Sequence, residues 1–198
     1  GWDAIQVGCA IEGAEIYNNV IKNYGTLDRP HQNNGIQVGS GTGGLVYNNL
    51  IKKGNGNGMI IMGTGDNVMY NNIIVDAGSN GVFCDERYTP GKGFKFINNT
   101  ILNPAKDGIR LYAELVPLNT IVNNIIANPG SLNAYTKIAS RSSEDAFVYL
   151  VSDENVKMSN NLFATTQGEI MFVNPSKDNY RLRPDSPAIN FGLVSSFE

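Results

Sequence analysis

Two cysteines, one histidine and one tryptophan among 198 residues exclude several chemistries at the outset. Cys9 and Cys84 are too few for a disulfide framework. His31 stands alone, and no His/Cys cluster has the spacing of a metal site. Charged residues make up only 17%, with a net charge of −3 and no basic stripe, so the chain is not read as a nucleic-acid binder. No apolar run reaches the ~18 residues that a membrane span requires, and no lipidation signal is present. No basic segment followed by an apolar one opens the sequence, so no export signal is expected within it, which is compatible with one already removed. Helical periodicity is nearly missing too: only Leu115–Pro117 and the neighbourhood of Ser142–Asp145 tempt a helical reading.

What the chain does have is glycine, 22 of them, abundant asparagine and 41% apolar residues, enough for one core. Asn-Asn recurs at Asn18-Asn19, Asn48-Asn49, Asn71-Asn72, Asn98-Asn99, Asn123-Asn124 and Asn160-Asn161. A further pair, Asn33-Asn34, lies outside that register. Two residues before each in-register pair stands an apolar residue: Ile16, Val46, Met69, Phe96, Ile121 and Met158. A second motif alternates with the first: AIQVG from Ala4, GIQVG from Gly35, GMIIM from Gly58, GVFCD from Gly81 and GIRLY from Gly108, with weaker copies AFVYL from Ala146 and EIMFV from Glu169. Short β-branched or aromatic runs bounded by Gly and Asn are strands with turn punctuation.

A base repeat near 23 residues built from short strands is a solenoid signature. The leucine pattern of leucine-rich repeats is absent, and a propeller blade needs about 40 residues. The reading is therefore all-β, a right-handed single-stranded parallel β-helix of about seven coils. At about 4.8 Å per coil the rod is roughly 34 Å long. Each coil must bend sharply between strands, and Asn tolerates the left-handed region better than other non-glycine residues. One Asn of each pair takes that conformation. The other points inward, where stacked amides hydrogen-bond along the rod. Parity with the apolar residue two positions earlier assigns the inward role to the first Asn.

Alternation places Ile5, Ile36, Met59, Val82 and Ile109 inside, with Val7, Val38, Ile61, Cys84 and Leu111. Cys84 is thus a small core residue, and Cys9, about three coils or ~14 Å away, is out of disulfide reach. Outside lie Gln6, Gln37, Ile60, Phe83 and Arg110, with Gly8, Gly39, Met62, Asp85 and Tyr112.

These coils resemble the parallel β-helix repeats of the pectate-lyase-like superfamily over about residues 4–174. The C-terminal DNYRLRPDSPAINFG, Asp178–Gly192, resembles the close of many secreted bacterial β-helix proteins, with Asn190 and Phe191 where Asp and Ala are usual. The resemblance implies a protein that is secreted, periplasmic or at the cell surface. It implies a polysaccharide or oligosaccharide as partner. The superfamily holds polysaccharide lyases, glycoside hydrolases and epimerases, and also non-catalytic adhesins and binding modules, so fold does not fix activity. The chain is read as one β-helix domain over residues 1–198, monomeric, and as the C-terminal part of a longer protein, since no capping segment precedes Trp2.

Candidate catalytic residues are Asp85, Arg110, Tyr112 and Glu114, brought within roughly 5–10 Å by adjacent coils. In a β-elimination lyase, Arg or Tyr takes the proton α to a uronate carboxylate while a cation neutralises that carboxylate. In a glycosidase, Asp85 or Glu86 would pair with Glu114 across the scissile bond. The bland alternative is a surface ion pair between Asp85 and Arg110. Phe83, Glu86, Arg87 and His31 are candidate substrate contacts. The apolar row Ile60, Met62 and Phe83 is expected to lie under a sugar ring or under a loop, Tyr24–Gln32 or Arg87–Gly93. The order Asp28-Arg29-Pro30-His31 departs from the Asp-Pro-His motif of β-helix alginate epimerases, so that role is not carried over. No cofactor is required by this reading; Ca2+ is compatible with it, although no EF-hand-type loop is present.

Overall fold

The computed structural model describes residues 2–27, 31–62, 66–86, 92–116 and 118–192. The first coil comprises β1 (Ile5–Val7), β2 (Ala14–Tyr17) and β3 (Val20–Lys22). The second comprises β4 (Ile36–Val38), β5 (Gly44–Tyr47) and β6 (Leu50–Gly54). The third has β7 (Met59–Ile61), β8 (Val68–Tyr70) and β9 (Ile73–Ala77), and the fourth β10 (Val82–Asp85), β11 (Lys95–Ile97) and β12 (Thr100–Leu102). The fifth has β13 (Ile109–Tyr112), β14 (Asn119–Val122) and β15 (Ile125–Ala127), and the sixth β16 (Val148–Leu150), β17 (Val156–Ser159) and β18 (Leu162–Ala164).

Like strands of successive coils pair in parallel, giving three six-stranded sheets, A (β1-β4-β7-β10-β13-β16), B (from β2 to β17) and C (from β3 to β18). The fold is the right-handed parallel β-helix read from the sequence. Among the described residues it has six coils where about seven were expected. The seventh copy, Glu169–Val173, falls in a 3-10 helix, Gln167–Ile170, and then in β19 (Phe172–Asn174), which pairs antiparallel with β20 (Asn179–Leu182). The helical reading holds only in part. Ser143–Ala146 forms a 3-10 helix, whereas Leu115 and Val116 form a bend, and Pro117 lies outside the described residues. A short helix α1 (Leu132–Tyr135) precedes it within the insertion between β15 and β16.

The registers carry the core. Ile36, Met59, Val82 and Ile109 stack on one row of sheet A, and Val38, Ile61, Cys84 and Leu111 on the other, all buried. Sheet B supplies Ile16, Val46, Met69, Phe96 and Ile121, and sheet C Ile51, Ile74, Ile101 and Ile126. Each such side chain contributes roughly 1.5–3 kcal/mol by leaving water. Met158, the sixth member of the sheet B row, is half-exposed because β17 (Val156–Ser159) is the edge strand of its sheet. Both cysteines are free; Cys84 is buried and its thiol pushed up by that burial. A second apolar cluster lies outside the rod: β19, β20 and Ile170 lay Phe172, Tyr180 and Leu182 over Val75, Leu102, Ala127 and Ala164 of sheet C. The strap is pinned by Asp178, which accepts from Lys22 at 2.7 Å and also pairs with Lys52.

The asparagine pairs hold the B–C bends, but with their roles exchanged relative to the parity argument. The first Asn of each pair is left-handed, with φ of 55° at Asn18, 54° at Asn48, 53° at Asn71, 54° at Asn98, 57° at Asn123 and 51° at Asn160. The second points inward: Asn49, Asn72, Asn99 and Asn124 are all buried. A left-handed residue breaks the strand alternation, so the position after it, not the position two after the last core residue, faces inward. Each inward Nδ2 donates to the Oδ1 of the next coil, Asn49 to Asn72 at 2.9 Å, Asn72 to Asn99 at 3.0 Å and Asn99 to Asn124 at 3.0 Å.

Candidate functional site

Sheet A enters each coil through a second ladder, and the site grows from it. The residue before the glycine of each strand motif is Asn34, Asn57, Asn80 or Asp107, each buried or nearly so in its bend. Asn57 Nδ2 donates to Asn34 Oδ1 at 2.9 Å, and Asn80 Nδ2 to Asn57 Oδ1 at 2.9 Å. The row begins on Asp3, whose Oδ1 accepts from Asn34, and it ends on Asp107. Asn34, set aside in the sequence because its pair was out of register with the others, belongs to this row.

Three residues beyond Asp107, on β13, Arg110 faces outward over sheet A. Its Nη1 donates to Asp107 Oδ2 at 2.7 Å and to Tyr135 Oη at 3.2 Å, and its Nη2 donates to Tyr112 Oη at 2.9 Å. The guanidinium also lies 4.0 Å from the centre of the Tyr149 ring. Burial works against the Arg110 cation, but the hydrogen bonds to Tyr112 and Asp107 outweigh it and push its pKa up. The residue is a fixed cation, not a proton acceptor.

Beside it, Phe83, Asp85, Glu86, Tyr112, Glu114 and Leu115 line a cavity of about 520 Å³. The rings of Phe83 and Tyr112 sit 5.7 Å apart, tilted by 38°. Asp85 and Glu86 are buried, while Glu114 is exposed. The Glu86 carboxylate accepts the backbone N–H groups of Leu115 at 2.6 Å and Val116 at 2.9 Å, which fixes that wall. A second cavity of about 680 Å³ shares Phe83 with the first and is lined by Arg110, His31, Gln37, Ile60 and Lys106 among others. Thus five of the sequence candidates meet in one cavity, and Arg110 and His31 meet in its neighbour. Arg87, Asp28 and Arg29 lie outside the described residues. Asp85, Gln37 and Ile60, read as outward, are in fact nearly covered, the last two in the cavity that His31 and Gln32 also line.

Residues 2–126 match the family described as right handed beta helix region. The chain belongs to the right-handed β-helix family. No curated protein and no solved structure matches it.

On this β-helix the aromatic face of sheet A is larger than the sequence disclosed. Tyr149 and Tyr135 join Phe83 and Tyr112, and Arg141 stacks on Tyr149 at 4.1 Å. Tyr149 was hidden by a one-residue offset: Ala146–Leu150 aligned with Gly108–Tyr112 sets it opposite Leu111, whereas the strands pair it with Arg110. Tyr135 and Arg141 come from an insertion without repeat character. A separate stack on sheet B, Tyr17–Tyr47–Tyr70 at 4.9 and 4.8 Å, covers both faces of its central ring and so offers a ligand mainly edges. Among the described residues no group of three or more His, Cys, Asp or Glu is placed to hold a metal ion, and no helix is long and apolar enough to cross a membrane.

Proposed function

We propose that this β-helix takes a polysaccharide or oligosaccharide chain on the outer face of sheet A, over coils four and five. The observation that carries the reading is the cavity in which two tilted rings, Phe83 and Tyr112, stand beside an exposed carboxylate, Glu114, with a fixed cation, Arg110, next door. Sugar C–H faces stack on rings, while hydroxyl and carboxylate groups require polar partners. Outside the cell or in the periplasm the protein would meet such chains as a monomer.

If bonds are cleaved there, the work falls to the carboxylates of Asp85 and Glu114 and to the Tyr112 hydroxyl, since Arg110 holds its proton and Glu86 is committed to two backbone N–H groups. The same two commitments favour a second reading, a binding module without turnover. Isothermal titration of acidic and neutral oligosaccharides, followed by assays for unsaturated products and new reducing ends, separates the two. Binding that disappears in Phe83→Ala and Tyr112→Ala supports the groove. Unaltered binding by both variants rejects it.

A further inference from the structure

The Asp107 ladder ends on the wrong residue for a purely structural ladder. In this row each side-chain amide, together with its backbone N–H, donates to the Oδ1 of the preceding coil. Asp3, at the start, has only to accept, and a carboxylate does so well, taking the Asn34 N–H at 2.7 Å and its Nδ2 at 2.9 Å. Asp107, at the far end, should donate. It has no amide, so only its backbone N–H reaches Asn80 Oδ1, at 3.3 Å. Its Oδ1 is buried with no hydrogen-bond partner among the described residues. An asparagine would serve this bend better, as it does at Asn34, Asn57 and Asn80. A fully buried carboxylate with one oxygen unpartnered is costly, and among the described residues its only compensation is through the other oxygen, which holds Arg110 and Tyr135.

From there the contacts run outward in one direction. Asp107 Oδ2 accepts from Arg110 Nη1. Arg110 Nη2 then donates to Tyr112 Oη. With its oxygen occupied by a guanidinium donor, the Tyr112 hydroxyl has its own hydrogen left to give, and Tyr112 lines the cavity beside Glu114. We propose that Asp107 is a positioning residue: it fixes Arg110, and through Arg110 it aims the Tyr112 hydroxyl as a hydrogen-bond donor at an acceptor oxygen of the bound saccharide. The inference rests on the carbohydrate reading for the identity of the ligand, not for the geometry of the chain Asp107–Arg110–Tyr112.

The test uses Asp107→Asn, Tyr112→Phe and the double variant, with short oligouronides and neutral oligohexoses as probes. In the ligand-free protein, Asp107→Asn should cost less thermal stability than Asn80→Ala, because the new amide completes the ladder step. The Arg110 guanidinium NMR signals should at the same time collapse towards those of a free side chain. With the probe that binds best, each single variant should weaken affinity about tenfold, the scale of one charge-assisted hydrogen bond. The double variant should be no weaker than either single one. Losses that multiply, guanidinium signals that stay protected in Asp107→Asn, or a stability loss as large as that of Asn80→Ala each overturn the proposal. If Tyr112→Phe leaves the binding of every probe unchanged, the sugar reading of this groove fails, and the ligand-free NMR comparison still decides whether Asp107 positions Arg110.

Discussion

Asn72→Ala tests the central structural device. Asn72 is fully buried. Its Oδ1 accepts the Asn49 N–H at 3.2 Å and Asn49 Nδ2 at 2.9 Å, and its Nδ2 donates to Val46 O at 2.8 Å and Asn99 Oδ1 at 3.0 Å. Alanine orphans two buried donors on Asn49, and at ~1–3 kcal/mol for each unsatisfied group the loss is about 4 kcal/mol. For a domain of this size that lowers the melting temperature by roughly 10 °C. The neighbouring Asn71→Ala supplies the control. Asn71 is exposed and left-handed at φ 53°, so alanine there costs only backbone strain, ~1–2 kcal/mol, and glycine none of it. Differential scanning calorimetry on the three variants reads the ordering directly. If Asn72→Ala proves no more damaging than Asn71→Ala, the amide ladder is not what holds the bends.

The strap over sheet C should be acid-labile. Lys22 and Lys52 hold the Asp178 carboxyl at about 2, below its ordinary 3.8, so its stabilising contribution is full above about pH 3.8 and is lost as the pH falls towards 2. Protection of the Asn179–Leu182 amides, measured against their intrinsic exchange rates, should therefore fall over that window in the native protein, and should be low throughout in Asp178→Asn. Glu86→Ala removes both acceptors for Leu115 and Val116, and limited proteolysis should then cut near residues 114–116 while the rod survives. Gly81→Ala would place a Cβ 2.4 Å from Ile101 Cγ2 and 2.6 Å from Gly108 O, and urea unfolding should report a loss of at least about 1–3 kcal/mol.

The strand registers were readable where each coil repeats one geometry: once Ile5, Ile36, Met59, Val82 and Ile109 are aligned, sheet A follows as far as β13, but the copy Ala146–Leu150 is one residue out, since Val148 and not Phe147 pairs with Ile109. The inward Asn was misread because parity counts only extended residues, and Asn18 and its equivalents are left-handed. Asn34 was set aside for a related reason, since its neighbour Asn33 gave it the look of a displaced B–C pair. Its signal was the glycine after it, shared by Asn57, Asn80 and Asp107. The cavity position was legible from the outward residues of β10 and β13. Tyr135 and Arg141 were not, because they reach the site from α1 and the segment after it, where no repeat fixes direction. The strap was visible as a motif, but its destination on sheet C depended on Lys22 and Lys52, far away in the chain.

The carbohydrate reading meets its most direct test in an NMR titration of the isotope-labelled protein with acidic and neutral oligosaccharides. The account predicts saturable shifts gathered at Phe83, Asp85, Arg110, Tyr112, Glu114 and Leu115, with the ring signals of Phe83 and Tyr112 moving most. Saturable shifts centred elsewhere, for example on the Tyr17–Tyr47–Tyr70 stack of sheet B, or no binding of any sugar, would contradict it.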